Sequence, residues 1–134
     1  DIIMHYQSIG RITTKIWQNI NWLRFHKNTD SVDRHKKKFE DKWEAFKICE
    51  ILVNKQYFGG NSRFYVTFDC DHEKIYGTFS DKMINEAIDE YIALNHRIKV
   101  KPLLNHTNSQ GKKVYNVATA TAYVKKELIQ MYLK

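Results

Sequence analysis

Between Ser80 and Ala120 the spacing of apolar residues changes period, and few folds accept such a change. Up to Asn95 the period is helical. Met83, Ile84, Ala87, Ile88, Tyr91 and Ile92 fall three or four apart behind Ser80, a helix-capping residue type. Asp81, Lys82, Asn85, Glu86, Asp89 and Glu90 fall on the opposite face. From His96 to Lys101 apolar and cationic residues alternate instead. That alternation predicts a strand with Arg97, Lys99 and Lys101 on one face and Ile98 and Val100 on the other. The lone proline, Pro102, closes this strand or lies on its edge. A polar loop from His106 to Lys113, a return strand from Val114 to Ala118 and a last helix complete the stretch. Thr119 or Thr121 would cap that helix, with Tyr123, Val124, Leu128, Met131 and Tyr132 facing inward.

Helix, strand, long polar loop, strand and helix in this order resemble the second half of a winged-helix domain with a long wing. The resemblance implies a helix laid in a major groove and a wing touching the backbone. One feature of the sequence opposes the first of these. The exposed face of the 81–94 helix carries Asp81, Glu86, Asp89 and Glu90, which phosphates would repel.

Upstream, Ile9, Ile12, Ile16, Ile20 and Leu23 predict a helix from Ser8 to His26, widened by Trp17, Trp22 and Phe25. These aromatics fit a core, a partner interface or a base-stacking platform, and helical spacing favours the core. Asn28-Thr29-Asp30-Ser31 is a loop, and a long helix is expected from Val32 to Tyr57. Its first turns carry Arg34, His35, Lys36, Lys37 and Lys38, against the anion preference of a helix N-terminus. A basic run so placed fits phosphate contacts as well as a solvated face. Arg63 to Phe79 reads as β, with Phe64, Val66, Phe68 and Cys70 on one face. A hairpin turning through Cys70–Lys74 is preferred to one long strand. The expected fold is therefore α+β and mostly helical, with a small antiparallel sheet and a winged-helix-like C-terminal half. Residues 1–134 form one domain. N-terminal helices occupy 8–57, and the β and winged-helix-like portion occupies 63–134.

Charge points to the partner. Residues 96–134 carry eight Lys/Arg against one Asp/Glu, as positive as the entire chain at +7. Residues 43–95 carry five against nine. Such segregation fits a surface that faces a polyanion. A lysine-rich solvated surface is the plainer alternative. The expected function is nucleic-acid binding, with duplex DNA as the expected form. Arg97, Lys99, Lys101, Lys112 and Lys113 on the hairpin, and Arg34, Lys36, Lys37 and Lys38 on the helix, would make the phosphate contacts. A replication, transfer or regulatory role in a mobile element or other AT-rich genome is a further expectation, suggested by composition alone.

Two other readings stay open. A protein-interaction module or inhibitor subunit would use Trp17, Trp22 and Phe25, or the acidic helix face. The strand that ends Phe68-Asp69-Cys70-Asp71 resembles the metal motif of archaeo-eukaryotic primases and related plasmid replicases. The resemblance covers residues 64–71, and the family's downstream Ser-x-His element has no counterpart. It implies a metal-dependent nuclease or nucleotidyltransferase, with Asp69, Asp71 and Glu73 holding Mg²⁺ or Mn²⁺ if the strand stays extended. The expectation is no cofactor and no metal. Cys49 and Cys70 lack metal-ligand spacing, and the six histidines are scattered. No apolar run spans a membrane, and no signal peptide opens the chain. Reduced thiols and an intracellular setting, cytoplasmic or nuclear, are expected. Because the chain opens on Asp1, it is expected to be an excised domain or to lack its first residues.

Overall fold

The computed structural model of the chain describes residues 3–5, 19–28 and 31–134. It is α+β; the described residues form five α-helices and a four-stranded sheet. The strands are β1 (Ile3–His5), β2 (Trp22–Phe25), β3 (Val66–Asp69) and β4 (Lys74–Gly77), adjacent in that order. The sheet is mixed, not purely antiparallel as expected: β1 runs parallel to β2, and the other pairs are antiparallel.

Alternation sorts the strands into two faces. Leu23, Phe25, Val66, Phe68 and Ile75 point inward and are buried. Trp22 and Tyr65 are on the other face, with Arg24, Thr67 and Tyr76 between them. The hairpin expected between β3 and β4 is present, and Phe64, Val66, Phe68 and Cys70 are all buried. Trp22–Phe25 is strand, so the helix expected over 8–26 does not extend through its C-terminal end. Residues 8–18, Trp17 among them, lie outside the described residues.

Helix α1 (Trp43–Phe58) buries Ala45, Phe46, Ile48, Cys49, Ile51, Leu52 and Val53, which cover more than half of its circumference and so face more than one neighbour. It packs between the inner sheet face and α2 (Asp81–Leu94). Phe46 in its first turn meets Phe25 at 5.2 Å, Phe39 at 4.8 Å and Phe68 edge-on at 5.4 Å. The expected long helix from Val32 is α-helical only from Trp43. Val32–Lys42 is a 3-10 stretch, broken at His35 (φ −116°) and Phe39 (φ −137°). Four cations in the first turns oppose the helix dipole, and the backbone is tied down by side chains instead. Glu50 accepts from the Val32 amide (2.8 Å) and the Ser31 hydroxyl (3.2 Å). Lys47 bridges Asp33 and Glu50, both at 2.9 Å.

The largest correction concerns residues 96–118. His96–Lys101 is not a strand. It forms two helical turns, α3 (His96–Lys99) and α4 (Lys101–Leu104), that continue α2 past Asn95. The competing period is present in the sequence: Val100, Leu103 and Leu104 stand at i, i+3 and i+4 and pack inward. Pro102 sits in the first turn of α4, where its missing amide costs nothing. The return strand at Val114–Ala118 is also absent. A closed loop takes its place, joined by one bridge between Thr107 and Lys113. Asn108 organises it, its side chain accepting from the amides of Gln110 (2.9 Å) and Lys112 (3.1 Å). Gly111 takes the left-handed backbone (φ 77°) that the turn needs. Helix α5 (Val117–Leu133) is capped by Asn116, not by Thr119 or Thr121. Asn116 Oδ1 accepts from the Thr119 amide at 2.8 Å, and the Thr119 hydroxyl accepts from the Asn116 amide at 3.0 Å. Val124, Leu128 and Tyr132 face inward as expected, whereas Tyr123 and Met131 are exposed.

Candidate nucleic-acid interface

The nine cations singled out in the sequence part company in the structure. Arg34, Lys36, Lys37, Arg97, Lys101, Lys112 and Lys113 are exposed, and Lys38 is half-buried. Lys36 sits over the Trp43 ring, its ammonium 4.2 Å from the centroid. Lys99 is turned inward and pairs with Glu44. Arg97, Lys99 and Lys101 therefore do not form the cationic row expected of a strand face, because a helical turn fans them apart. Lys112 and Lys113 remain together on the closed loop.

Glu44 explains the loss of Lys99. Its carboxylate accepts from Tyr91 Oη at 2.9 Å and Tyr132 Oη at 2.8 Å, besides pairing with Lys99. Burial, then the Glu44 charge, push both phenols far above the ordinary tyrosine value. One carboxylate thus joins α1, α2, α3 and α5.

A second group of cations was not singled out from the sequence. A cleft of about 760 Å³ between β4 and α5 is lined by Lys74, Ala122, Lys125, Lys126, Ile129, Gln130 and Lys134. Four of these seven are lysines and none is acidic, so the lining is a cationic trough. Lys125 pairs with Asp89 at 2.9 Å, and Lys74 donates to the Met131 carbonyl. Lys126 and Lys134 are exposed. The sequence signal was present: Ala122, Lys126, Gln130 and Lys134 stand four apart on one helix face.

The Asp69 region has a structural task. Asp69 is 5% exposed, and Oδ1 accepts from the amides of Asp71 (3.0 Å) and His72 (3.1 Å). Oδ2 meets His72 Nδ1 at 2.8 Å. Burial acts to raise the Asp69 pKa, but the hydrogen bonds from His72 and the turn amides together outweigh it and hold the carboxyl below its ordinary value. Asp71 accepts from Asn21 Nδ2 at 3.1 Å, and Glu73 pairs with Lys42 at 3.5 Å. The three carboxylates, expected on one face of an extended strand, are divided by the turn. Among the described residues no group of three or more His, Cys, Asp or Glu side chains is arranged to hold a metal ion. Cys49 and Cys70 are free and buried. Burial raises both thiols, Cys70 to about 11, so neither is a nucleophile at neutral pH.

The expected partner surfaces are also rearranged. Trp22 and Phe25 point to opposite faces of β2, and Phe25 is buried, so they cannot form one patch. On the acidic face of α2, Asp89 and Glu90 are engaged by Lys125 and Lys55. The outer sheet face is the aromatic surface that remains. His5 stacks on His26 (5.1 Å, 5° between planes), and His26 meets Tyr65 at 5.4 Å. The Arg24 guanidinium lies 4.7 Å from the Tyr65 centroid, and Trp22 meets Tyr76 at 6.1 Å. Burial, then the His5 and Arg24 charges, lower the pKa of His26.

Comparison of the chain with protein-family models, with curated proteins and with solved structures gives no match. Among the described residues no helix is long and apolar enough to cross a membrane.

Proposed function

We propose that this chain is a nucleic-acid-binding domain that grips phosphates through the cleft between β4 and α5. One observation carries the reading: among the described residues, four lysines and no carboxylate line that cleft. A cationic trough of this kind suits a continuous polyanion better than a single small anion, because its charges are spread along a helix face. Lys112 and Lys113, on the loop closed by Thr107 and Lys113, would add contacts much as a wing does, without wing strands. Arg97 and Lys101 are exposed cations outside the cleft, and among the described residues no carboxylate pairs with either. Lys99 is not part of the interface, since Glu44 holds it.

The test is binding of labelled nucleic acid by fluorescence anisotropy across a salt series. Affinity should fall steeply with salt, the slope reporting the number of phosphates neutralised. Lys126→Glu with Lys134→Glu should weaken binding to every sequence alike and flatten the slope. Binding that ignores both salt and these changes would rule the reading out.

A further inference from the structure

The outer face of the sheet has a composition that phosphate contact alone does not explain. Its central row is fixed by register: His5 pairs with Arg24, Arg24 with Thr67, and Thr67 with Tyr76. One residue from each strand thus stands side by side, across roughly 14 Å at ordinary strand spacing. Aromatic rings flank that row on both sides. Trp22 precedes it on β2, and His26 and Tyr65 follow it. Tyr65 is 42% exposed and Tyr76 50% exposed, although each is large and partly apolar. Rings and cations are interleaved, with the Arg24 guanidinium over Tyr65. The only carboxylate among the described ladder residues of this face is Asp69, and it is sunk into the turn with both oxygens engaged. The exposed carboxylates, Asp71 and Glu73, stand beyond the hairpin end of the face.

The face also joins the cationic cleft. Lys74 shares the outer side of β4 with Tyr76, two residues away, and its ammonium reaches the lining of that cleft. An aromatic platform therefore opens at the β4 edge into a lysine trough. We propose that the outer face binds a single strand of nucleic acid, with bases stacked on Trp22, Tyr65 and Tyr76 and the backbone led by Arg24 and Lys74 into the α5 cleft. This rests on the nucleic-acid reading above and narrows it from duplex to single strand. Stacking requires bases out of the helix, and a four-stranded sheet has room for two or three of them. Rings tolerate every base, so the site discriminates little by sequence. A protein partner fits less well, since the row presents two cationic or titratable residues, a threonine and a tyrosine where an apolar core would be needed.

The test compares short labelled oligothymidylate, oligouridylate and a DNA duplex by anisotropy on the whole chain. The single strands should bind more tightly than the duplex. Tyr65→Ala with Tyr76→Ala should weaken single-strand binding by about tenfold or more and leave duplex binding unchanged. Tyr65→Leu with Tyr76→Leu keeps apolar bulk but no ring. It should show the same loss, with a thermal melt close to that of the parent. Intrinsic fluorescence should fall on binding, and Trp22→Phe should remove most of that fall. Single-strand binding that survives both pairs of tyrosine changes but is lost in Lys126→Glu, Lys134→Glu overturns the stacking site and leaves the phosphate reading standing. Absence of binding to all three probes overturns both.

Discussion

On the inner face of the sheet, Phe25 and Phe68 close on Phe46 with centroids 5.2 and 5.4 Å apart, and no ring is left open to solvent. On the outer face, Tyr65 and Tyr76 hold similar ring contacts yet stay about half exposed, and their neighbours are Arg24, His26 and Lys74. Both faces come from the same short strands, and alternation alone separates them. The inner rings are phenylalanine, which needs no hydrogen-bond partner. The outer rings carry a hydroxyl or a ring N–H that tolerates water. The inner face is therefore spent on stability, and the outer face keeps its rings available.

Substitution on each face should separate these roles. Phe68→Ala removes a fully buried ring and should cost about 3–5 kcal/mol in urea unfolding. Tyr76→Ala should cost about 1 kcal/mol or less by the same measurement. Equal losses would mean that the outer rings are also core. Glu44→Ala should cost about 2–4 kcal/mol, because two phenols and a partly buried ammonium lose their acceptor together. Lys112→Ala, on the exposed loop, should be neutral to about 0.5 kcal/mol.

Acid should act on two titratable groups of the outer face in separate windows. Asp69→Ala should cost about 1–3 kcal/mol at neutral pH by leaving turn amides without an acceptor. Its folded pKa lies below the ordinary 3.8. The stability it contributes is thus present above pH 3.8 and is lost as pH falls through the lower folded value. His26 gives the smallest effect and at higher pH. Its folded pKa is depressed from 6.5, so below that pH the unfolded chain takes up a proton that the folded chain resists. Stability should decline as pH drops from 6.5 towards the folded value, and His26→Gln should remove that slope. A slope unchanged in the variant would place the cause elsewhere.

The strands and helices with long, consistent periods were legible. Phe64 to Cys70 alternates over seven residues and is buried as the alternation requires. The stripe of α2 and its Ser80 cap were equally plain, with Ser80 Oγ accepting from the Met83 amide at 3.2 Å. The stretch from His96 to Lys101 was not, because six residues fit a period of two as well as the helical spacing that begins at Val100. What decides it is non-local: Val100 is fully buried and Lys99 reaches Glu44, more than fifty positions earlier. The candidate site was legible in charge and not in place. The basic third of the chain was evident, but its strand face does not exist. The lysines that do line a cleft share it with β4, a contact that helical spacing could hint at but not establish. The outer sheet face is hidden for a similar reason, since the spacing of Ile9 to Leu23 puts Trp22 on a helix and its neighbour Tyr76 lies on another strand.

The bond from Tyr132 to Glu44 closes a loop of 88 residues. Until α5 docks, the Glu44 carboxylate has to keep water at the edge of α1, and a helix with seven buried apolar residues cannot settle fully. Contacts of such sequence separation slow the search for the native state. During synthesis α1 would therefore wait, partly wetted, for a partner made much later, and that interval is when the exposed apolar helix is most open to capture by chaperones or to aggregation.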